Sequence, residues 1–219
     1  MSDHHDAAGR LRPQRPDELD DAQRALYNAI AGGPRAGGPF RVTDDDGRLL
    51  GPFDALLLRP GIGDAVQRLG AALRFQGDLP PRTRELVVCA VAADWRSAYE
   101  WYAHSLVALA VGCTREELDG VRTHVVPATL TPAEAAALRL TRALLRDRVV
   151  DDELYAEVLA HHGTAGVLEI TVLVGYYQAL AGLLEAFAVA APEPTPFDRD
   201  QTATSGTTSR AIAGAGTLD

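Results

Sequence analysis

The sequence predicts an all-α protein whose helices pack as a single compact domain. Helix-capping motifs recur along the chain, and the segments after them carry apolar residues at spacings of three and four, the period of an amphipathic helix. No segment of useful length alternates apolar and polar residues as a strand would. With 219 residues, 47% of them hydrophobic, the chain is long enough to bury one core.

The helices of the first part are predicted from caps and chain breakers. Asp17 can cap a helix that runs to about Ile30, and a loop rich in glycine and proline follows it. The segment from Pro60 to Gly63 predicts an interruption of the chain, after which Asp64 begins the next helix.

Stronger helical signals follow in the second part. The run RTRELVVCAVAADW is apolar after a charged first turn, which is typical of a helix buried on most sides, and another helix runs to about Val111. Thr114 and Thr131 each precede a glutamate by three residues, which is the capping box that begins a helix. Gly163 is predicted to end one helix, and a last long helix continues to about Ala190.

Both ends of the chain are predicted to be flexible tails. Residues 1–16 and 192–219 offer little to a packed core, and the second segment contains the Pro-rich stretch APEPTPF followed by a Thr-, Ser- and Gly-rich stretch. Such segments bury too little apolar surface to offset the entropy lost on ordering. The helical domain is therefore placed at residues 17–191.

The composition excludes several classes of function. The net charge is -9 and the sequence pI is about 5.1, so we expect neither a nucleic acid nor an anionic membrane surface as a partner. Every basic residue is an arginine or a histidine, so no lysine can form a Schiff base with a carbonyl substrate or with pyridoxal phosphate.

The cysteines and the apolar segments bear on the cellular location. Cys89 and Cys113 stand in separate segments with no CxxC spacing, so we expect both to be reduced, buried and inert. The first residues contain no apolar leader, which predicts a cytoplasmic protein. The apolar stretch from Ile170 to Leu184 is shorter than the roughly 18 residues of a membrane span, so it is interpreted as a core or subunit-interface helix.

The octet SAYEWYAH, residues 97–104, contains the polar residues that attract most attention. Ser97 and Glu100 have the spacing of a capping box, which by itself accounts for a carboxylate at that place. His104 lies one turn beyond Glu100 on the same helix face, within reach of its side chain. A carboxylate beside an imidazole fixes its tautomer and raises its basicity, as general acid/base catalysis requires. Capping and catalysis are both compatible with the pattern.

A longer segment around this octet, RELVVCAVAADWRSAYEWYAHSLVALAVGCTREEL, resembles the carboxymuconolactone decarboxylase and alkylhydroperoxidase-D-like (AhpD-like) proteins. In that family a helix opening on Arg-Glu-Leu is followed by a turn, a second helix with the reactive positions, and a Gly and Thr/Ser-x-Glu-Glu helix start. The resemblance runs from about Gly51 to about Ala190 and implies an AhpD-like helical bundle. It also implies a homo-oligomer, a trimer or a hexamer.

The resemblance assigns family positions to residues of this chain. The relay glutamate of the peroxidase branch falls on Glu85, and its two redox cysteines fall on Ser97 and Glu100. Its two histidines fall on Tyr99 and His104. A dithiol cycle cannot run on a serine and a glutamate, so peroxide reduction by that mechanism is not expected.

What the resemblance leaves is a site like that of the decarboxylase branch, which needs no cofactor and no metal. There we expect His104, oriented by Glu100, to transfer a proton in the decarboxylation or isomerisation of a small organic acid or ketone. Glu85 is expected to be a second base or an orienting group, Tyr99 to bind a substrate oxygen, and Trp101 to line the pocket. The alternatives are a non-catalytic ligand-binding or oligomerising protein, and a protein with residual peroxidase activity through Cys89.

Overall fold

The computed structural model describes residues 9–33 and 37–198, and over those residues the protein is all-α, as predicted. A short 3-10 helix, Pro16–Glu18, comes first. The α-helices in the described part of the chain are α1 (Asp21–Ala31), α2 (Phe53–Leu56), α3 (Pro60–Phe75), α4 (Pro81–Trp95), α5 (Ala98–Ala110), α6 (Arg115–Arg122), α7 (Pro132–Arg142) and α8 (Asp152–Ala186). A π-helical turn, Ala143–Asp147, follows α7 directly.

Helix α4 is the centre of the domain. Of its 15 residues, 10 are buried, and it packs against α5, α6, α7 and α8. Val87 and Val91 face a core shared with α7 and α8, whereas Leu86 and Cys89 face a second core shared with α5 and α6. The apolar run that follows the charged first turn therefore fills the space between two layers of helices.

The capping boxes predicted at Thr114 and Thr131 are confirmed, and an arginine joins them. The hydroxyls of Thr114 and Thr131 accept the backbone N–H groups of Glu117 and Glu134, at 3.1 and 3.3 Å. The same two glutamates also bind Arg82 of α4: its Nη2 lies 2.6 Å from Glu117 Oε1, and its Nε lies 2.6 Å from Glu134 Oε1. One guanidinium thus ties the first turns of α6 and α7 to the first turn of α4.

The interruption predicted between Pro60 and Gly63 is wrong, because α3 already begins at Pro60. Proline suits the first position of a helix, where its missing N–H is not needed. Gly63 serves close packing instead of a turn, since a Cβ atom there would lie 2.3 Å from the carbonyl oxygen of Leu56. In the same way Asp20, and not Asp17, caps the first α-helix.

Helix α8 forms the long wall of the domain and is interrupted where the sequence predicts a break. Gly163 has φ 66° and ψ 177°, values outside the helical region, and Asp151 caps the start of the helix by accepting the N–H of Leu154. By length and composition alone, α8 could cross a membrane. Its buried residues, such as Ile170 and Leu173, pack with those of α4 and α7.

The described parts of the two predicted tails contact the helical domain. The backbone N–H of Arg10 donates to the carbonyl oxygen of Phe187, at 2.8 Å. Phe197 is buried and packs edge-on against Trp101, with 5.3 Å between ring centroids. Residues 1–8 and 199–219 of those tails lie outside the described residues. The limits of the helical domain at 17 and 191 remain a prediction.

Candidate active site

The centre of the site is a buried glutamate–histidine pair that joins α4 to α5. Helix α4 ends at Trp95, and the left-handed backbone of Arg96 (φ 52°) turns the chain so that α5 packs back against α4. This packing places Glu85 Oε2 2.8 Å from His104 Nδ1. Glu85 is 1% exposed and His104 7% exposed, so the pair is nearly closed to bulk water.

The surroundings of Glu85 keep its carboxylate ionised. Burial alone would raise its pKa, but the charge and the hydrogen bond of His104, together with the charges of Arg74 and Arg84, outweigh burial and lower the pKa. Arg84 Nε lies 3.4 Å from the other carboxylate oxygen of Glu85. An ionised carboxylate can only accept hydrogen bonds, so Nδ1 of His104 must carry the shared proton. The remaining ring nitrogen, Nε2, is left for a ligand.

Glu100 does not pair with His104, and it does not close the predicted capping box either. The side chain of Ser97 makes no capping hydrogen bond to α5. Both carboxylate oxygens of Glu100 are buried and lack a hydrogen-bond partner among the described residues. The predicted pairing of Glu100 with His104 is therefore replaced by the pairing of Glu85 with His104, because α4 presents a carboxylate closer to the ring than the preceding turn of α5 does.

Burial determines the protonation state of Glu100. It raises the pKa of this carboxyl well above its usual range, and the nearby Ser97 hydroxyl offsets only part of the effect. Without a cation to pair with, a carboxyl in such a place is neutral near neutral pH. A neutral carboxylic acid can donate a hydrogen bond as well as accept one. The site thus contains one ionised and one protonated glutamate.

Glu100 and His104 line the same cavity, which contains about 480 Å³ of unoccupied space, part of it open to solvent. The rest of its lining is mainly apolar and aromatic. These residues are Phe40, Pro52, Phe53, Gly70, Arg74, Tyr99, Ala103, Tyr176, Tyr177 and Leu180. Glu85 lies behind His104 and is not part of the lining. The ring of Tyr177 packs edge-on against that of His104, with 4.8 Å between centroids, and supports its orientation.

Tyr99, predicted to bind a substrate oxygen, lines the cavity, whereas Trp101, predicted to line the pocket, does not. The ring of Tyr99 packs directly on Gly51, where a Cβ atom would lie 2.3 Å from Cε1 of the tyrosine. Burial raises the pKa of Tyr99, so its hydroxyl keeps its proton. Trp101 is the next residue after Glu100, and successive residues of a helix point about 100° apart. It therefore packs against Phe197 on another side of α5.

The sequence analysis missed the part of the site that comes from the N-terminal third of the chain. Phe40 and Phe53 lie in or next to irregular segments, and Arg74 stands in the last turn of α3. No local spacing connects these residues to α5, since only the packing of α3 and α8 brings them together. Tyr176 and Tyr177 have helical spacing typical of core residues, and both also reach the cavity. Within the described residues, no three His, Cys, Asp or Glu side chains group as metal ligands.

The fold resembles those of several solved structures. A peroxidase-related protein with an alkylhydroperoxidase AhpD core from Ralstonia eutropha JMP134 superposes with a TM-score of 0.68 at 17% identity, over 85% of this chain and 93% of that one. The debrominase Bmp8 in complex with 2,3,4-tribromopyrrole superposes with a TM-score of 0.63 at 16% identity, over 81% of this chain and 88% of that one. A putative antioxidant defence protein AhpD from Agrobacterium tumefaciens superposes with a TM-score of 0.57 at 17% identity, over 63% of this chain and 94% of that one.

These likenesses place the chain in the class of AhpD-like all-α folds. Residues 60–143 match the model of the Carboxymuconolactone decarboxylase family, which covers α3 to α7 and includes both members of the glutamate–histidine pair. The family resemblance seen in the sequence is thus confirmed over these residues. A search of curated proteins finds no match.

Proposed function

We propose that the protein is a cofactor-independent enzyme that transfers a proton to or from carbon in a small organic acid or ketone, in a decarboxylation or an isomerisation. The observation that carries this proposal is the buried hydrogen bond between Glu85 Oε2 and His104 Nδ1 beside an apolar cavity. A carboxylate on one ring nitrogen orients the imidazole and increases the basicity of the other nitrogen. This is the arrangement of a general acid/base.

Each polar side chain has a separate role in this proposal. His104 Nε2 takes a proton from carbon or returns it, and Glu85 holds the ring. Glu100, which is neutral and has no hydrogen-bond partner among the described residues, donates to the substrate oxygen on which negative charge develops. Tyr99 offers a second hydroxyl donor from the same wall of the cavity. Trp101 has no role, because it faces away from the cavity.

Two observations disfavour a thiol-based peroxidase. By the family resemblance, Ser97 and Glu100 stand where the peroxidase branch has its redox cysteines. The cysteines that the chain does have are buried, and burial raises the pKa of Cys89 well above its usual range and that of Cys113 to about 11. A thiol attacks peroxide as the thiolate, and neither side chain forms it readily.

A non-catalytic binding protein is the main alternative. It would be favoured by a histidine facing solvent and by a glutamate used only to cap its helix. Neither condition is met, since His104 is buried against Glu85 and Glu100 caps nothing. Catalysis is therefore the better-supported function for this pair.

We also propose a homo-oligomer, a trimer or a hexamer, located in the cytoplasm. Large apolar side chains are exposed on the surface of α3 and α8: Ile62 is 66% exposed and Leu168 is 65% exposed. A protein interface would cover such residues. Two free cysteines suit a reducing compartment. Light scattering of the purified protein coupled to size-exclusion chromatography measures the oligomeric state directly.

The experiment for the proposed activity follows proton transfer to carbon with a panel of small keto acids, lactone acids and ketones. Deuterium incorporation in heavy water is measured by proton NMR, and carbon dioxide release is measured in parallel. We expect at least one compound to react, and His104→Ala to lower its rate by roughly 10²- to 10⁴-fold. His161→Ala, which removes an exposed histidine, is the matched control and should react like the wild type. Equal rates in the wild type and His104→Ala would overturn the proposal.

A further inference from the structure

The charge balance of the cavity restricts the ligands that it can hold. The charge of Glu85 is balanced by Arg84, Glu85 also accepts the Nδ1–H of His104, and Glu100 is held neutral by burial. Arg74 is the one arginine among the described residues that line the cavity. No ion pair or hydrogen bond of Arg74 is found in the described part of the chain. The charge of Arg74 helps to keep Glu85 ionised, but Arg84 already pairs with that carboxylate, so the guanidinium of Arg74 leaves an excess positive charge at the cavity wall.

The position of Arg74 allows a ligand to reach it. The residue is only partly buried, in the last turn of α3, and its guanidinium lies 5.8 Å from the ring centroid of Phe75. Two arginines of α4 are engaged: Arg82 binds Glu117 and Glu134, and Arg84 binds Glu85. A planar guanidinium with free N–H groups matches a carboxylate in charge and geometry.

We propose that Arg74 binds the carboxylate of the substrate, and that the substrate is a small monocarboxylate with a neutral carbonyl group. This inference rests on the proposed function and narrows it. The aromatic and aliphatic lining formed by Phe40, Phe53 and Leu180 suits a short apolar body. A second carboxylate would find no second free arginine within the described lining.

Binding of the substrate carboxylate to Arg74 also favours one of the two proposed reactions, decarboxylation and isomerisation, over the other. An ion pair with a carboxylate that leaves as carbon dioxide weakens as the reaction proceeds, so it stabilises the substrate more than the transition state. A carboxylate that stays in place can be bound equally well in the substrate and in the transition state. The reaction that suits Arg74 is thus an isomerisation or proton exchange next to the carbonyl group, with the carboxylate as a handle.

The step balances within the residues present. His104 Nε2 removes a proton from the carbon next to the carbonyl, and the electron pair of the broken C–H bond moves to form an enolate. The enolate oxygen accepts a hydrogen bond from the protonated Glu100. The proton then returns from His104 to the same carbon, or to another carbon of the conjugated system. No oxidant, reductant or co-reactant is consumed.

The test compares the binding of three probes to the full chain by isothermal titration calorimetry. Levulinate carries one carboxylate and a ketone, levulinamide is its neutral analogue, and oxoglutarate carries two carboxylates. We expect levulinate to bind most tightly, and Arg74→Gln to weaken it by about tenfold to a hundredfold, the usual range for a lost charge-assisted hydrogen bond. Levulinamide should bind Arg74→Gln and the wild type equally. Arg74→Lys should retain part of the preference for levulinate.

Arg68→Gln is the matched control, because Arg68 stands on the same helix, is exposed and pairs with Asp64. It should bind all three probes like the wild type. Equal affinity of the wild type for levulinate and levulinamide, or an equal loss of both in Arg74→Gln, would overturn the role of Arg74. Binding is read separately from turnover. A charge preference that depends on Arg74, without proton exchange in any compound, contradicts the proposed function and leaves this inference standing. Proton exchange without a preference for levulinate over levulinamide contradicts this inference and leaves the proposed function standing.

Discussion

His104 Nδ1 and Glu85 Oε2 lie 2.8 Å apart although 19 residues separate them in the chain. The carboxylate four residues before the histidine, Glu100, is buried beside the same cavity and makes no hydrogen bond to any described residue. Pairing lowers the pKa of Glu85 and burial raises that of Glu100, so the two carboxyl groups near this histidine are shifted in opposite directions. Environment, and not residue type, separates their roles, as it does in other sites that use paired carboxyl groups.

The buried, neutral state of Glu100 should make the stability of the protein depend on pH. Its folded pKa is raised above the unfolded value, so the folded state holds a proton that the unfolded state has lost. Stability therefore falls as the pH rises through the unfolded pKa, near 4.3, and continues to fall towards the higher folded pKa. Glu100→Gln should gain stability relative to the wild type between about pH 5 and pH 8 and match it most closely near pH 4.

The measurement for Glu100 is urea unfolding of both proteins across this pH range, with Glu116→Gln, an exposed carboxylate, as the control. A constant difference between Glu100→Gln and the wild type at every pH would show that Glu100 is ionised or paired.

The ion pair between Arg82 and Glu117 should give the stability a pH dependence opposite to that of Glu100, with stability lost as the pH falls. Glu117 is buried, but hydrogen bonds from Arg82, the Thr114 backbone and Thr129 outweigh burial and lower its pKa to about 2. Its stabilising contribution is complete above the unfolded pKa, near 4.3, and is lost as the pH falls through about 2. Glu117→Gln should cost roughly 3 kcal/mol at neutral pH, since it leaves Arg82 without one partner. Below about pH 2 the cost should largely disappear.

Thermal unfolding from neutral pH to strongly acidic pH checks this prediction. The same exposed variant, Glu116→Gln, controls for the loss of one negative charge. A destabilisation of Glu117→Gln that does not change with pH would mean that packing, and not the ion pair, is lost.

The two glycines of the sequence GIG should respond differently to alanine. A Cβ at Gly63 would lie 2.3 Å from the Leu56 carbonyl oxygen, whereas a Cβ at Gly61 meets nothing within 4 Å. Gly63→Ala should therefore cost about 2–4 kcal/mol by forcing α2 and α3 apart, and Gly61→Ala should be neutral or stabilising by up to about 1 kcal/mol. Denaturant unfolding of both variants measures the difference. Similar stability of the two variants would contradict the close approach of α2 to α3.

Local signals explain why much of the fold can be predicted from the sequence. The capping boxes at Thr114 and Thr131 involve residues three positions apart, so the motif itself specifies the contact. The break at Gly163 is local in the same sense. Gly63 led to a wrong prediction because a glycine in a sequence indicates a turn or a close approach equally well. Here the glycine is needed for the close approach of a neighbouring helix.

The site depends on packing between distant segments, which spacing does not reveal. Helical periodicity places Glu100 on the same face as His104, and the structure agrees, but it cannot show that Glu85 from another helix lies nearer to the ring. The family resemblance identified Glu85 as a position of interest and left its role open. Arg74 carries no local signal, and its importance follows only from the cavity that α3, α5 and α8 share.

The tautomer of His104 is the most direct test of the account. Long-range proton–nitrogen correlation spectra of ¹⁵N-labelled protein distinguish protonated from bare ring nitrogens, and His104→Ala assigns the signals. In the wild type, once the ring is neutral, we predict a proton on Nδ1 and a bare Nε2. Glu85→Gln should mix the two tautomers, because a glutamine amide can either accept or donate at that position. A neutral wild-type ring that carries its proton on Nε2 would contradict the account, since Glu85 would then not orient His104.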